Sequence, residues 1–199
     1  MKQEKYVRDS KIEKEVKFAI KDISSTLIKI RNVAKFIQTE YIRDIIYGVK
    51  NDKQKIRVRI FDNFNNHSIE AMYKYRTDSD DSNIKTEVEE TIYRGSNFKD
   101  ALTAIAKHGD FKEENSYEKI RAVYKAKNAE AEITFDIYPY GVWMEIEGDP
   151  ENIWLVADKL GFEKKDSVVL NADELYLEWQ KKFNLKEMWD VRFGLTGEK

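Results

Sequence analysis

A chain of 199 residues that is 41% hydrophobic and 13% aromatic has enough apolar material for one packed domain and is not expected to be disordered. Lys and Arg number 35 against 37 Asp and Glu, so the chain lacks the basic excess typical of proteins that bind duplex nucleic acid or a membrane surface. Because there are no cysteines and only two histidines, disulfides and thiolate metal sites are excluded, and a metal is expected to be held by carboxylates, which suit Mg²⁺ or Mn²⁺.

The ends of the chain are polar. Residues 1–10 lack the apolar segment of a signal peptide, and no apolar run approaches the ~20 residues of a membrane-spanning helix, so we expect a cytoplasmic protein. Since no linker rich in Pro and Gly divides the chain, we predict a lead-in at 1–10, a single domain at 11–185 and a tail at 186–199. A homodimer is left open.

The N-terminal half of the chain is predicted to be rich in strands. Strict alternation of apolar and polar residues predicts a first strand at 11–19, after which helical spacing predicts a helix at 21–37. Further strands are separated by polar segments, among them a turn at 49–53 and a loop at 78–83. These strands are predicted at 38–48, 54–62, 69–77 and 84–92.

The C-terminal half is loosely similar in order, without a repeat in the residues themselves. A helix is predicted at 96–108, with Ser96 or Asn97 as its N-cap. Three strands then precede a helix that starts at Pro150 and stops at Gly161, and a last amphipathic helix is predicted at 171–184. The three strands are predicted at 116–126, 130–137 and 142–148. About eight strands joined mostly by short turns favour an antiparallel sheet that curls or closes, with helices outside.

Charged residues share one face in most of these strands, and apolar residues share the other. For one strand the simplest explanation is a solvated outer face. For the whole set, a barrel wrapped by helices explains the pattern better, because its apolar faces lie under the helices and its charged faces point into the lumen. The residues concerned are Glu13, Glu15 and Lys17; Lys55, Arg57 and Arg59; Lys85, Glu87 and Glu89; Lys119 and Arg121; Glu132, Thr134 and Asp136; and Glu145 and Glu147.

Such a lumen predicts a particular class of ligand. Isolated buried charges cost several kcal/mol, so charges in a lumen need to pair or to bind something. Arg and Lys donate to phosphate oxygens, and carboxylates hold Mg²⁺ or Mn²⁺. Both signs together therefore favour a polyanion that carries a divalent metal, such as a triphosphate.

Short motifs along the chain strengthen this interpretation because they occur in the order of a known family. Two of them depart from the family's pattern, with Glu40 in place of Asp and Lys85 in place of Arg. The motifs are Glu13–Lys17 (ExExK), Gln38–Tyr41 (QTEY, which looks like QxDxY), Arg57–Arg59 (RxR), Tyr73–Lys74 (YK), Lys85–Glu89 (RxExE), Lys119–Arg121 (KxR), Asp136–Pro139 (DxxP) and Glu145–Gly148 (EIEG). Over residues 11–180 the chain resembles the CYTH superfamily of triphosphate tunnel metalloenzymes, which includes class IV adenylate cyclases, thiamine triphosphatases and inorganic triphosphatases.

The resemblance implies an α+β fold built on a closed eight-stranded antiparallel barrel, with helices outside. It also implies roles for individual residues. The implied ligands of Mg²⁺ or Mn²⁺ are Glu13, Glu15, Glu145 and Glu147, with Asp136 as a further ligand or as the residue that orients the attacking water. The implied triphosphate-binding residues are Lys17, Arg57, Arg59, Lys74, Lys85, Lys119 and Arg121, of which Lys17, Arg57 and Arg59 also contribute to catalysis. Roles for Glu40, Glu87 and Glu89 are left open.

Three functions compete. The first is metal-dependent hydrolysis of a phosphoanhydride bond, which requires the fewest specific residues. A class IV adenylate cyclase, which converts ATP to cyclic AMP and pyrophosphate, would also need an adenine pocket, for which no residues stand out beyond a base-stacking role for Tyr41 or Tyr140. A non-catalytic module that binds nucleotide or polyphosphate is the third, although the carboxylates argue against it. Which triphosphate is the substrate is left open.

Overall fold

The computed structural model describes residues 9–49, 55–63, 66–77, 79–186 and 189–194. Several predicted features fall partly outside these ranges: the lead-in at 1–8, the turn after Val49, the first residue of the loop at 78–83 and the end of the tail. The division into lead-in, domain and tail remains a prediction.

Eight antiparallel strands form a closed barrel. Their bounds are β1 Asp9–Ala19, β2 Ala34–Gly48, β3 Lys55–Asn63, β4 Asn66–Thr77, β5 Lys85–Gly95, β6 Lys112–Ala126, β7 Ala131–Tyr138 and β8 Gly141–Gly148. The strand order is β2-β3-β4-β5-β1-β8-β7-β6, and pairing of β2 with β6 closes the sheet. The predicted α+β fold with a closed eight-stranded antiparallel barrel is therefore confirmed.

Within the described ranges, four α-helices cover the outside of the barrel, and their ends follow local capping rules. They are α1 Ile23–Val33, α2 Phe98–Ala106, α3 Pro150–Leu160 and α4 Ala172–Phe183. The predicted N-cap Asn97 accepts a hydrogen bond from the backbone of Lys99 at 2.9 Å, and Gly161 ends α3 in a left-handed conformation with φ of 82°. None of the helices in the described ranges has the length and apolarity that crossing a membrane would need.

The apolar faces of the strands meet these helices in three clusters. Under α1 and α3, Phe18, Ile133 and Ile146 pack fully buried against the helices. Under α2, Ile56 and Val58 do the same. A third cluster under α4 is aromatic. Each fully buried large apolar side chain contributes about 1.5–3 kcal/mol, so the outer layer stabilises the barrel while its inner face is free to be charged.

The first helix is shorter than predicted. The helical spacing at 21–37 continues past the point where the helix ends, because residues 34–37 already belong to β2. Ala34 pairs with Ala126, and the backbone amide of Lys127 donates to the carbonyl of Val33 at 2.9 Å. Pairing with a strand about 90 residues away overrides the local preference. The sixth strand is longer than predicted, starting at Lys112 instead of 116.

A short strand near the C-terminus was not predicted. This strand, β9 (Asp190–Val191), runs parallel to β6 beside Ser116 and Tyr117, which β7 does not reach. The Ser116 amide donates to the carbonyl of Trp189 at 2.7 Å, and the Ser116 hydroxyl donates to Asp190 at 2.6 Å. The segment Trp189–Gly194 is thereby attached along the first half of β6.

Replacing Gly148 with alanine is expected to destabilise the protein by about 3 kcal/mol. Gly148 has a φ of 155°, and an added Cβ would lie 2.8 Å from the backbone oxygen of Glu130, which cannot move without disturbing the barrel. Urea unfolding measures the loss. The control is Gly194→Ala, where φ is 78° but nothing lies within 4 Å of the added carbon, at an expected cost of about 1 kcal/mol. Equal losses would show that the Glu130 contact contributes nothing.

Candidate active site

The interior of the barrel encloses a cavity of about 430 Å³ with charged walls. Alternate residues of each strand point into it, because side chains of a strand alternate between its two faces. Every residue singled out as a metal ligand or a triphosphate-binding residue lines this cavity except Asp136. The lining members are Glu13, Glu15, Lys17, Arg57, Arg59, Lys74, Lys85, Lys119, Arg121, Glu145 and Glu147.

Three carboxylates on neighbouring strands form one cluster in this cavity. Strand pairing sets Glu15 of β1 opposite Glu147 of β8, and Glu145 lies two residues before Glu147 on the same face. One carboxylate oxygen from each lies within 4.8 Å of the other two. Side-chain cations offset part of this like charge, among them Lys85, which lies 3.1 Å from Glu15.

The three carboxylates differ in how far their charge is compensated. Burial acts to raise the pKa of Glu145, but Lys17 at 3.1 Å and Arg121 at 2.7 Å hold it well below its usual range. Burial and then the negative charge of Glu13 raise the pKa of Glu147 to about 8, although Arg121 acts in the opposite direction. Glu147 is therefore the carboxylate of the cluster whose negative charge is least compensated.

These residues fit a divalent metal. Carboxylate oxygens are the ligands that Mg²⁺ and Mn²⁺ prefer, and a dication would offset the repulsion that raises the pKa of Glu147. Glu15, Glu145 and Glu147 supply the cluster, and Glu13 lies close enough to act on Glu147. Asp136 is placed differently: it receives hydrogen bonds from Arg121 Nε and Nη2 at 2.6 Å and from Lys119 at 2.8 Å. In this arrangement Asp136 holds two cations.

The pKa of Glu147 predicts how pH and metal act on stability. The unfolded carboxyl has a pKa near 4.5, so between that value and about 8 the folded state binds a proton that the unfolded state does not. The metal-free protein should therefore lose stability as pH rises through this interval. Added Mg²⁺ should raise the melting temperature more at about pH 9 than at about pH 6, because protons no longer compete for the ligands. Differential scanning fluorimetry checks this, and a metal effect equal at both pH values would contradict it.

The cations of the cavity are held in place by buried carboxylates. Arg59 donates two hydrogen bonds to Asp44, both at 2.7 Å, and Asp44 is fully buried. Lys74 lies 2.8 Å from both Glu87 and Glu89. These pairs fix the directions of the cationic side chains, which an isolated long side chain would not keep.

Arg57 is less completely paired. It donates to Glu89 at 2.6 Å and to the sulfur of Met72 at 3.0 Å through Nη2. Its Nε is buried and has no hydrogen-bond partner among the residues that the structure describes. A buried donor without a partner is costly, so a ligand that supplies an acceptor there gains affinity.

Several cationic side chains lie close enough to Lys119 to repel its charge. Burial and then the positive charge of Arg121 lower the pKa of Lys119 to about 8, although Asp136 acts to raise it. Arg59 adds to the lowering. An anion beside Lys119 would stabilise its charged form. One cavity thus contains carboxylates that favour a cation and cationic side chains that favour an anion.

Two features of the site were missed in the sequence. Asp44 lies on the same face of β2 as Glu40, and this alternation could have identified it as a residue of the lumen. Because Ile42 and Ile46 lie on that face too, the strand does not show a continuous charged face in the sequence. Asp173, at the start of α4, also lines the cavity. The sequence predicts a helix at 171–184 but contains no local sign that its first turn lies against the interior of the barrel.

Replacing Asp44 with asparagine is expected to cost about 3 kcal/mol of unfolding free energy, because it leaves Arg59 buried without its counter-charge. Urea unfolding measures the loss, and added inorganic triphosphate should recover part of it by supplying a new counter-charge. The control is Asp62→Asn. Asp62 lies on the same strand as Arg59, but its side chain is 49% exposed and pairs with His67. The unfolding free energy of this control is expected to change by no more than about 0.5 kcal/mol. Equal stability of the two variants would contradict the prediction.

Comparison with known proteins finds similarity in structure and not in sequence. No protein-family model matches the chain, and no curated protein matches it. The PH1819 protein of Pyrococcus horikoshii is 23% identical with a TM-score of 0.64, covering 83% of this chain and 98% of that one. A candidate adenylate cyclase of Vibrio parahaemolyticus is 14% identical with a TM-score of 0.60, covering 85% and 99%.

A third solved structure is HpAC1 of Hippeastrum, a candidate adenylyl cyclase with a dominant triphosphatase activity. It is 14% identical with a TM-score of 0.55, covering 83% of this chain and 95% of that one. At these identities the likeness shows the fold. The closed-barrel fold that the resemblance implies is thus shared with these solved structures.

Proposed function

We propose that this chain is a metal-dependent triphosphatase of the CYTH type, which hydrolyses a phosphoanhydride bond of a triphosphate bound in its tunnel. The observation that carries the proposal is a cluster of carboxylates and a set of cationic side chains that line the same cavity. Glu147 and its neighbours need a cation, and Lys119 and its neighbours need an anion. A triphosphate with a divalent metal satisfies both at once.

In this proposal the cationic side chains of the cavity bind the triphosphate. Arg57, Arg59 and Lys119 lie on β3 and β6, on either side of β2, and their donors reach the same cavity. Charge-assisted hydrogen bonds from such groups to phosphate oxygens are short and strong, and Arg can make two in parallel. Their carboxylate partners hold these side chains in place before the substrate arrives, so little ordering remains to be done on binding.

Mg²⁺ or Mn²⁺ held by Glu15, Glu145 and Glu147, with Glu13 beside them, would supply Lewis-acid stabilisation of the charge on the transferring phosphoryl group. Asp136 serves in this proposal to position Arg121 and Lys119, to which it is hydrogen-bonded. The metal-ligand role that the resemblance implies for Asp136 stays a prediction.

Hydrolysis needs positioning and charge more than covalent participation by the protein. The oxygen of a water molecule forms a bond to the terminal phosphorus as the bridging P–O bond breaks, and the bridging electrons leave with the diphosphate. The water's proton passes to the released orthophosphate or to solvent. Lys17, Arg57 and Arg59 stabilise the negative charge that spreads over the phosphoryl and leaving oxygens.

The test is turnover of a substrate panel. The purified protein is incubated with inorganic triphosphate, ATP or thiamine triphosphate, with Mg²⁺, with Mn²⁺ or with EDTA, and orthophosphate, pyrophosphate and cyclic AMP are all measured. Metal-dependent release of orthophosphate without cyclic AMP is the expected result. Formation of cyclic AMP with pyrophosphate would contradict the hydrolase and identify an adenylate cyclase. Binding of a triphosphate without turnover would contradict both enzymes and identify a binding module.

A further inference from the structure

A second, smaller cavity lies beside the tunnel. It has a volume of about 140 Å³ and is formed by β6, the start of α4 and the segment that contains β9. Four aromatic side chains line this side pocket: Tyr117, Tyr140, Tyr176 and Trp189. Tyr140 and Tyr176 are buried and pack against each other with ring centroids 5.3 Å apart, whereas Trp189 is 62% exposed. The side pocket is thus aromatic and reaches solvent at Trp189.

Asp173 is the charged residue that the described part of the chain places in the wall of the side pocket. Burial raises the pKa of its carboxyl, and the negative charges of Asp44 and Glu114 raise it further. Those two carboxylates have cationic partners of their own, since Asp44 pairs with Arg59 and Glu114 pairs with Lys55. The charges that act most strongly on Asp173 are all negative, so a positive charge in the pocket would stabilise its ionised form.

Asn115, which also lines the side pocket, has an acceptor without a partner. Its side chain is hydrogen-bonded to Asp173, which acts against the rise in the pKa of that residue. Because a carboxylate accepts, the amide nitrogen of Asn115 donates in this bond. Its Oδ1 is buried and has no hydrogen-bond partner among the residues that the structure describes. A buried acceptor without a partner is costly, so an occupant that donates to it gains affinity.

We propose that the side pocket binds a small organic ammonium ion, the protonated form of an aliphatic amine that carries N–H donors. Its positive charge meets the carboxylate of Asp173, and an N–H donates to Oδ1 of Asn115. The four aromatic rings add their attraction for a cation and an apolar surface for the alkyl part of the ligand. The side pocket has a ligand of its own in this proposal, so the proposal does not depend on what occupies the tunnel.

Other classes of ligand fit these walls less well. A phosphate or a carboxylate would be repelled by Asp173. A divalent metal ion takes about six oxygen ligands, and the rings around Asp173 and Asn115 do not supply them. A quaternary ammonium has the charge but no N–H for Asn115. Pockets for whole drug-sized ligands measure about 300–1,000 Å³, so a volume of about 140 Å³ limits the occupant to a few carbon atoms.

Matched small molecules test the proposal. Butylammonium, which is protonated at about pH 7.5, is compared with n-butanol, which has the same carbon chain and no charge, and with tetramethylammonium, which has the charge and no N–H donor. Binding to the full chain is measured by saturation-transfer NMR at constant ionic strength. Butylammonium is expected to bind about tenfold more tightly than either of the others. Equal affinity for butylammonium and n-butanol, or for butylammonium and tetramethylammonium, would overturn the proposal.

Two substitutions show whether the binding occurs in the side pocket. Asp173→Asn keeps the shape of the side chain and removes its charge, and it is expected to weaken the binding of butylammonium about tenfold and to leave that of n-butanol unchanged. Trp189→Ala removes an exposed ring and is expected to weaken the binding of butylammonium about threefold. The control is Asp100→Asn, an aspartate in the first turn of α2 that lines neither the tunnel nor the side pocket, and its affinity for butylammonium should be that of the unaltered protein.

Mg²⁺ separates the side pocket from the carboxylate cluster of the tunnel, which also attracts cations. Binding of butylammonium in the side pocket should persist at saturating Mg²⁺. Binding that Mg²⁺ abolishes and that Asp173→Asn leaves unchanged would place the amine on Glu15, Glu145 and Glu147 and would overturn the proposal. This result does not depend on whether the protein hydrolyses a triphosphate, because no substrate is present in the measurement.

Discussion

Replacing Glu147 with glutamine is expected to lower kcat at least about a thousandfold on any triphosphate that the protein hydrolyses, equivalent to about 4 kcal/mol of transition-state stabilisation. Glutamine keeps the shape of the side chain and removes the charge that a divalent cation would meet. Because Glu147 is the carboxyl whose charge is least compensated, the metal-free variant should be as stable as the unaltered protein or more so above pH 8. Steady-state kinetics and thermal unfolding with and without Mg²⁺ measure both effects.

The control for this variant is Glu132→Gln. Glu132 lies opposite Glu147 across β7 and β8 and lines the same cavity, but it lies outside the three-carboxylate cluster. Its replacement should change kcat less than tenfold and leave the stabilisation by Mg²⁺ intact. If the two variants lost activity to the same degree, or if Glu147→Gln were still stabilised by Mg²⁺ as before, the cluster would not be the metal site.

Replacing Arg57 with alanine is expected to lower kcat/KM by about a thousandfold, in the range found when a cationic group that stabilises a phosphoryl transition state is removed. The fold should survive, because Glu89 keeps Lys74 at 2.8 Å as a counter-charge. Arg57→Lys should recover only part of the loss, since the ammonium restores the charge but not the buried Nε donor, which lacks a partner among the described residues. Stopped-time assays of orthophosphate release over a range of substrate concentrations separate kcat from KM.

The matched control is Arg94→Ala, a residue of β5 whose side chain is 48% exposed and pairs with Glu70 at 3.0 Å. It should behave as the unaltered protein does. A rise in KM with kcat unchanged in Arg57→Ala would mean that Arg57 binds the ground state and transition state equally, and would remove it from the catalytic group.

Strand alternation explains why so much of the lumen could be predicted. The inward face of a strand is a local property with a period of two residues, so Glu145 and Glu147 are readable from eight consecutive residues. The same holds for Arg57 and Arg59. The alternation does not predict which residue each charged side chain pairs with. Asp44 meets Arg59 because β2 and β3 pair in one particular register.

The features that were missed depend on residues far apart in the chain. The early end of α1 at Val33 results from pairing between Ala34 and Ala126, and the helical spacing of 34–37 contains no sign of it. The strand at Asp190–Val191 forms because β7 leaves the first half of β6 uncovered. Asp136 faces Arg121 across the β6–β7 pair, which explains why its oxygens are occupied by cations and not directed to the acidic cluster. In each case the deciding contact is non-local.

Closure of the barrel between β2 and β6 has a consequence for how the protein folds. The two strands are each 15 residues long, and their paired residues are separated by 64 residues at one end and by 92 at the other. Contacts between such distant segments form slowly, because the intervening chain must lose its freedom first. Hairpins such as β3–β4 and β7–β8 should form early and the β2–β6 contact last. Until then two long unpaired edges remain open to other chains, so the nascent protein should depend on dilution or chaperones to avoid aggregation.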